Sequence, residues 1–345
     1  MINTGDDHVR ERFHFLVNAP ALFNAITTAV EIGLFRHLSR RPGSDVPELL
    51  RATGVPAHQL RVLLQAVCST GLLERADGAY RNSAVAEELL TSDAADGWAH
   101  ILVGWKEIYY PAFAQMTTAL KAGTNTALDT VPGDGPTLYQ RLSGDREREA
   151  IFHRAMTAFT LRSLDALVER AEFGAVRHIL DVGGGDGTTS ARLAARHPGL
   201  RATVFDIPSV SALGANARTR ETDRVDFHPG DMFGDPFPTG CDAILFSHVL
   251  EIFSADQIRG LLKKAHDALP AGGRIFIYGY NVSDDETEGI FGARLGLYLN
   301  VLASGQGMAY PAREYEEWLR LSGFADVRTI SGLPYEHGLS SGVKR

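Results

Sequence analysis

Cysteine is nearly missing from this 345-residue chain: there are two, Cys68 and Cys241, far apart and each inside an apolar run. Such a pair offers neither a disulfide framework nor a thiolate metal site, and buried thiols are the expectation. Lysine is almost as scarce, with five among the 34 basic residues. That bias fits GC-rich coding and carries no functional weight. Blocks of like charge are lacking too, and the formal net charge is −8, which argues against a basic footprint for nucleic acid or anionic lipid. We read no apolar stretch as approaching the length of a bilayer span, and Met1 to Arg12 is too charged for a secretory signal. The expectation is therefore a cytoplasmic protein with no membrane partner. What is present, 44% hydrophobic and 22% charged residues, is ordinary globular composition, enough for two domains with proper cores.

Residues 15 to 95 carry helical apolar periodicity through Phe23 to Leu38, Val46 to Leu50 and His58 to Leu73. Gly71 to Arg81, with a turn at Ala76-Asp77-Gly78, has the pattern of a small hairpin. Helices plus a hairpin make a winged-helix outline, which raises DNA binding as a rival function. The helix that would enter a groove carries one arginine, Arg61, in surroundings of mixed charge, so an oligomerisation module is the favoured reading. Residues 97 to 172 are again helical, with aromatics at Trp98, Trp105, Tyr109, Tyr110 and Phe113. These suit either buried core or the aromatic wall of a ligand pocket.

From 177 the rhythm changes to short β-branched runs separated by helical stretches: His178 to Val182, Arg201 to Phe205, Arg224 to Phe227, Ala243 to Phe246 and Arg274 to Tyr278. Strands alternating with helices predict a parallel, doubly wound sheet whose ligand lies at the C-terminal strand ends. The motifs fall there. Asp181-Val182-Gly183-Gly184-Gly185-Asp186-Gly187 follows the first strand, but the last place of a dinucleotide fingerprint is Thr188 or Ser190 instead of glycine or alanine, which weakens a nicotinamide reading. Asp206 ends the second strand, where a carboxylate can accept ribose hydroxyls, and Gly230-Asp231-Met232-Phe233 follows the third.

Asp-x-Gly-x-Gly-x-Gly resembles the first motif of class I S-adenosylmethionine methyltransferases. Phe205-Asp206-Ile207-Pro208, Gly230-Asp231-Met232-Phe233 and the turn from Leu269 to Arg274 resemble the plant-type O-methyltransferase family and its bacterial natural-product relatives. The resemblance implies an α/β chain with a C-terminal Rossmann-like doubly wound domain (173–345), a helical linker and substrate segment (96–172), and an N-terminal winged-helix dimerisation domain (1–95). It also implies a homodimer and S-adenosyl-L-methionine as cofactor. The cofactor contacts it points to are Asp181, Gly183, Gly185, Asp206, Ile207, Asp231, Met232 and Ser247. The implied reaction is methyl transfer to a small aromatic secondary metabolite or amino-acid-derived precursor, with oxygen, carbon and nitrogen all open as acceptor atoms. Two alternatives stand beside it: a cofactor-binding relative turned to rearrangement or hydroxylation, and a transcription regulator.

The chain departs from the family where the family keeps its general-base histidine. In Phe246-Ser247-His248-Val249-Leu250-Glu251-Ile252-Phe253-Ser254-Ala255-Asp256 that place is held by Glu251, and the two further acidic positions fall near Gly279 and Ala309. Glu251 and His248, expected where a helix begins, are the catalytic candidates. Candidate acceptor contacts are Trp105, Tyr109, His153, Met156, Arg294 and Tyr298, with Asn300 nearby; Arg294 would suit a substrate carboxylate. No spacing supplies a third ligand to His248 and Glu251, so no metal is expected.

Overall fold

A computed structural model describes residues 4–142, 144–216 and 223–345. The chain forms two compact units, one of Met1–Pro111 with Glu147–Phe159, the other of Ala112–Arg146 with Thr160–Arg345.

In the first unit a long helix, Thr4–Glu31, is followed by helices Leu34–Arg40, Val46–Thr53 and Ala57–Ser69. Asp45 starts the third of these with a capping box, its side chain accepting the Glu48 N–H while Glu48 reaches back to the Asp45 N–H. Leu34, Phe35, Leu38, Leu49, Leu60, Leu64 and Val67 bury the inward faces in one core. The hairpin is β1 (Leu73–Ala76) and β2 (Ala79–Asn82), paired antiparallel. Asp77 and Gly78, with φ of 51° and 82°, form the two-residue turn of left-handed residues that matches strand twist. A bridge from Ser44 to Tyr80 adds a third short edge.

One expectation is corrected here. The stretch Asp7–Glu31 is long and apolar enough to cross a membrane by length and composition. It escapes notice because Asn18, Pro20, Asn24 and Thr27 interrupt it, yet three of these hide their polarity in the helix itself. The side chains of Asn18, Asn24 and Thr27 each donate to the carbonyl four residues back. Val9, Phe13, Phe15, Leu16 and Val17 stand exposed on this helix.

The second unit is built on a seven-stranded sheet in the order β5-β4-β3-β6-β7-β9-β8. Its strands are β3 (His178–Val182), β4 (Arg201–Asp206), β5 (Val225–Pro229), β6 (Ala243–Ser247), β7 (Arg274–Tyr280), β8 (Phe324–Leu333) and β9 (His337–Lys344). The first five run parallel, while β9 is antiparallel to both β7 and β8. Alternate residues serve opposite faces. Leu180, Val182, Phe205, Ile244, Phe246, Ile275 and Ile277 join one core, and Ile179, Val204, Leu245, Phe276 and Tyr278 the other. Burial on both faces explains why these strands read as continuous apolar runs. It also puts Asp206, Pro229, Ser247 and Tyr280 together at one edge of the sheet, the C-terminal end of the parallel strands. The pair β8 and β9 is an addition to the sequence reading. Burial in β8 is broken, and the inner strand β9, His337-Gly-Leu-Ser-Ser-Gly-Val-Lys344, has no apolar run.

Candidate active site

The turn after β3 is shaped by what its glycines omit. Gly183 has φ of 72°, a region that side chains avoid, and a Cβ there would lie 2.8 Å from Val249 Cγ2. A Cβ at Gly184 would come within 2.6 Å of the Asp181 carboxylate. Asp181 is fully buried; it accepts the Ser190 hydroxyl at 2.7 Å, and its Oδ1 has no partner among the described residues. Burial pushes its carboxyl up to about 7, against the Ser190 hydrogen bond. At the end of β4, Asp206 accepts the Gly185 N–H at 2.9 Å and the Ile207 N–H at 2.8 Å. Burial raises its carboxyl, and the two N–H donors oppose that rise.

After β5 the acidic turn is braced from several sides. Asp231 accepts the Phe233 N–H at 2.9 Å, and its own N–H donates to Asp235 at 2.9 Å. Lys264 donates to the Met232 carbonyl at 2.7 Å, and Phe233 meets Phe253 edge-on at 5.0 Å. Ile207 and Phe233 remain about half exposed at these neighbouring strand ends, an apolar surface that suits a flat heterocycle.

After β6 no helix begins at His248, which corrects the expectation there. His248 has φ of 57°, Leu250–Ile252 is a single 3-10 turn, and the next helix starts at Ala255 under a Ser254–Gln257 capping box. The reason is that the His248 N–H donates to the Tyr278 carbonyl at 2.8 Å, prolonging contact with β7 where a helix would have to turn away. The His248 ring packs edge-on against His337 with centroids 4.9 Å apart, and against Tyr278 and Tyr280. His337 Nδ1 is 2.8 Å from the Pro334 carbonyl, so that nitrogen carries the proton, and its Nε2, like that of His248, is buried without a partner among the described residues. Burial lowers His248 to about 3 and His337 to about 4, so both are neutral imidazoles.

Glu251 is 3% exposed. The backbone N–H groups of Glu251 itself and of Tyr280 favour its charged form, but burial outweighs them and pushes the carboxyl up to about 7. Its Oε1 has no partner among the described residues. A Cβ at Gly279 would sit 2.6 Å from that atom, so the carboxyl fills room that any side chain at 279 would claim. Tyr139 and Tyr315 lie in its electrostatic field.

The other candidates divide between the two units. Trp105, Tyr109, His153 and Met156 belong to the first unit, Arg294 and Tyr298 to the second. Trp105 and Tyr109 are buried on a π-helical turn, Trp105–Tyr109. The Tyr109 hydroxyl is 3.7 Å from Met156 sulfur, while His153 is exposed. Arg294 is half-buried and Tyr298 buried on the helix Ile290–Tyr298. Asn300 is committed to the carbonyls of Gly296 and Gly307. Sequence reasoning missed Tyr139, which lies in the electrostatic field of Glu251 and beside Tyr298, and Lys264. Neither sits in a recognisable motif.

Comparison with known proteins decides what this geometry belongs to. Residues 113–325 match the O-methyltransferase domain and residues 16–92 the O-methyltransferase dimerisation domain. The chain belongs to the O-methyltransferase family. It is 34% identical to a 3-hydroxy-5-methyl-1-naphthoate 3-O-methyltransferase of Streptomyces sahachiroi, over 92% of this chain and 91% of that one. It is 32% identical to an L-tyrosine C(3)-methyltransferase of Streptomyces lavendulae, over 91% and 86%. Among solved structures, the S-adenosylmethionine-dependent methyltransferase SibL superposes with a TM-score of 0.86 at 31% identity, covering 96% of this chain and 98% of that one. The protein is thus an S-adenosylmethionine-dependent methyltransferase, with a helical dimerisation domain and an α/β domain of mostly parallel strands.

The residues fit that cofactor. The glycine turn clears a path past Asp181, an orphaned buried carboxylate oxygen waits beside it, and Ile207 and Phe233 leave apolar surface at the strand ends.

Proposed function

We propose that this methyltransferase acts in the cytoplasm, as a homodimer, on a small aromatic acceptor that carries a hydroxyl and a carboxylate, and that Glu251 accepts the proton the acceptor gives up. The observation that carries this reading is the buried Glu251 carboxyl, with one oxygen unpartnered among the described residues and lying in the space Gly279 leaves open. S-adenosylmethionine supplies an electrophilic methyl group when bound. Asp206 would take the ribose hydroxyls, Asp231 the adenine amino group, Ile207 and Met232 the adenine faces, and Asp181, Gly183, Gly185 and Ser247 the remainder. Methyl transfer by in-line displacement draws much of its rate from positioning. A base matters where the acceptor is protonated, as a phenol of pKa about 10 is at neutral pH.

Glu251, pushed up to about 7, is a stronger base than an exposed carboxylate and suits proton transfer near neutrality. It would take the hydroxyl proton during oxygen methylation, or the ring proton after carbon methylation at a position the hydroxyl activates. His248, lowered to about 3, is a poor proton acceptor, so we assign it the task of holding the turn before Glu251. The two named relatives act on a hydroxynaphthoate and on tyrosine, which share a phenol ring and a carboxylate. Arg294 supplies a guanidinium for the latter.

The test is release of S-adenosylhomocysteine with hydroxynaphthoic acids and tyrosine-like phenols, beside the same rings lacking the carboxylate or the hydroxyl. Turnover should need both groups. Equal turnover on rings without either group would refute the assignment.

A further inference from the structure

The loop that carries Glu251 touches the cofactor turn. Val249, two residues before Glu251, is the side chain against which Gly183 closes, and the Met232 methyl comes to the same place, 3.4 Å from where a Gly183 Cβ would stand. The carboxyl is enclosed, one oxygen has no hydrogen-bond donor among the described residues, and Gly279 brings no side chain to it. A charge in such surroundings responds strongly to any neighbouring charge, because little water screens it. Among the described residues, the groups in its field include Tyr139 from the Leu138–Leu142 helix, Tyr315 from the Ala312–Leu321 helix, and the backbone N–H groups of Tyr280 on β7 and of Glu251 itself. The tyrosines are neutral near pH 7.

We infer that Glu251 is charged by the cofactor: the positive sulfonium of bound S-adenosylmethionine holds Glu251 ionised, and the neutral thioether left after methyl transfer lets it keep a proton. This rests on the reading of Glu251 as proton acceptor and deepens it. The balance closes. One carbon–sulfur bond breaks, the methyl group bonds to the acceptor, the acceptor's proton passes to Glu251, and the positive and negative charges vanish together. Glu251 is then a ready base only in the complex that holds a methyl group to transfer, and a spent acid beside the product.

The experiment is calorimetric titration of S-adenosylmethionine and of S-adenosylhomocysteine into the protein at pH 7, without acceptor, in buffers of differing ionisation enthalpy. The two ligands share every other charged group, so the difference in protons released isolates the sulfonium. With the free carboxyl at about 7, S-adenosylmethionine should release about half a proton more than S-adenosylhomocysteine, since a group at its own pKa is half protonated. Glu251→Gln should bind both ligands and abolish the difference. Equal proton release by the two ligands in the unaltered protein would overturn the inference whatever the variant does. A difference that survives in Glu251→Gln would also overturn it, by assigning the proton to another group such as Asp181. If release is equal but Glu251→Gln still loses turnover, Glu251 remains the base and only its coupling to the cofactor fails.

Discussion

Four buried side chains make the stability of this enzyme depend on pH in two opposing directions. His248 and His337 are lowered to about 3 and 4, so the folded state keeps them neutral while the unfolded chain binds protons below about 6.5. Their contribution is present above that pH and is lost as pH falls toward 4. Asp181 and Glu251, pushed up to about 7, behave the other way: their contribution is present below the unfolded carboxylate range, and is lost as pH rises through 7. The cofactor-free protein should therefore be most stable at about pH 5 to 6 as far as these groups decide it. Glu251→Gln should gain on the order of 2–3 kcal/mol at pH 8 relative to its own difference from the parent at pH 4. Thermal melts of both proteins across that range check this, and parallel melting curves would contradict it. Asp206→Ala should weaken S-adenosylhomocysteine binding by about 1.5–3 kcal/mol, the range for hydrogen bonds to a charged group, with little change in the unliganded melting temperature.

At the scale of elements, the strand-end carboxylates were legible because parallel strands buried on both faces announce themselves as apolar runs, and the acids near the ends of β3, β4 and β5 then stand out. Glu251 was legible as a departure from a pattern and Gly279 as a place where the family's acid is missing, but the room Gly279 leaves for the Glu251 carboxyl was not, since it depends on how β7 lies beside β6. His337 was invisible for the same reason. It reaches His248 because β9 runs antiparallel beside β7 and sets His337 opposite Tyr280, and β9 lacks the apolar run that betrays an inner strand. Two glycine substitutions separate the roles of the turns. Gly183→Ala forces a side chain into a left-handed backbone, at roughly 1–2 kcal/mol, and into Val249; S-adenosylhomocysteine affinity should fall at least tenfold. Gly279→Ala would meet the Glu251 carboxyl, so turnover should fall while S-adenosylhomocysteine affinity holds. If Gly279→Ala instead lost cofactor affinity and kept its turnover at saturating cofactor, the placing of Glu251 toward the acceptor would be wrong.

For the whole molecule, the helix Thr4–Glu31 leaves Val9, Phe13, Phe15, Leu16 and Val17 uncovered, next to a matched dimerisation domain that starts at residue 16. A second copy is the natural cover for that apolar face. Removing residues 1–17 should shift the protein toward monomer in sedimentation velocity, and a truncated protein that remained a full dimer would move the interface elsewhere. The central claim, that a buried glutamate does the work the family usually gives to histidine, is tested most directly by the turnover of Glu251→Gln on an accepted substrate, with S-adenosylhomocysteine affinity measured alongside. The expected result is turnover lower by roughly 10²–10⁴, the reach of general acid–base catalysis, with affinity nearly unchanged. Turnover close to that of the parent across pH 6 to 9 would contradict the account.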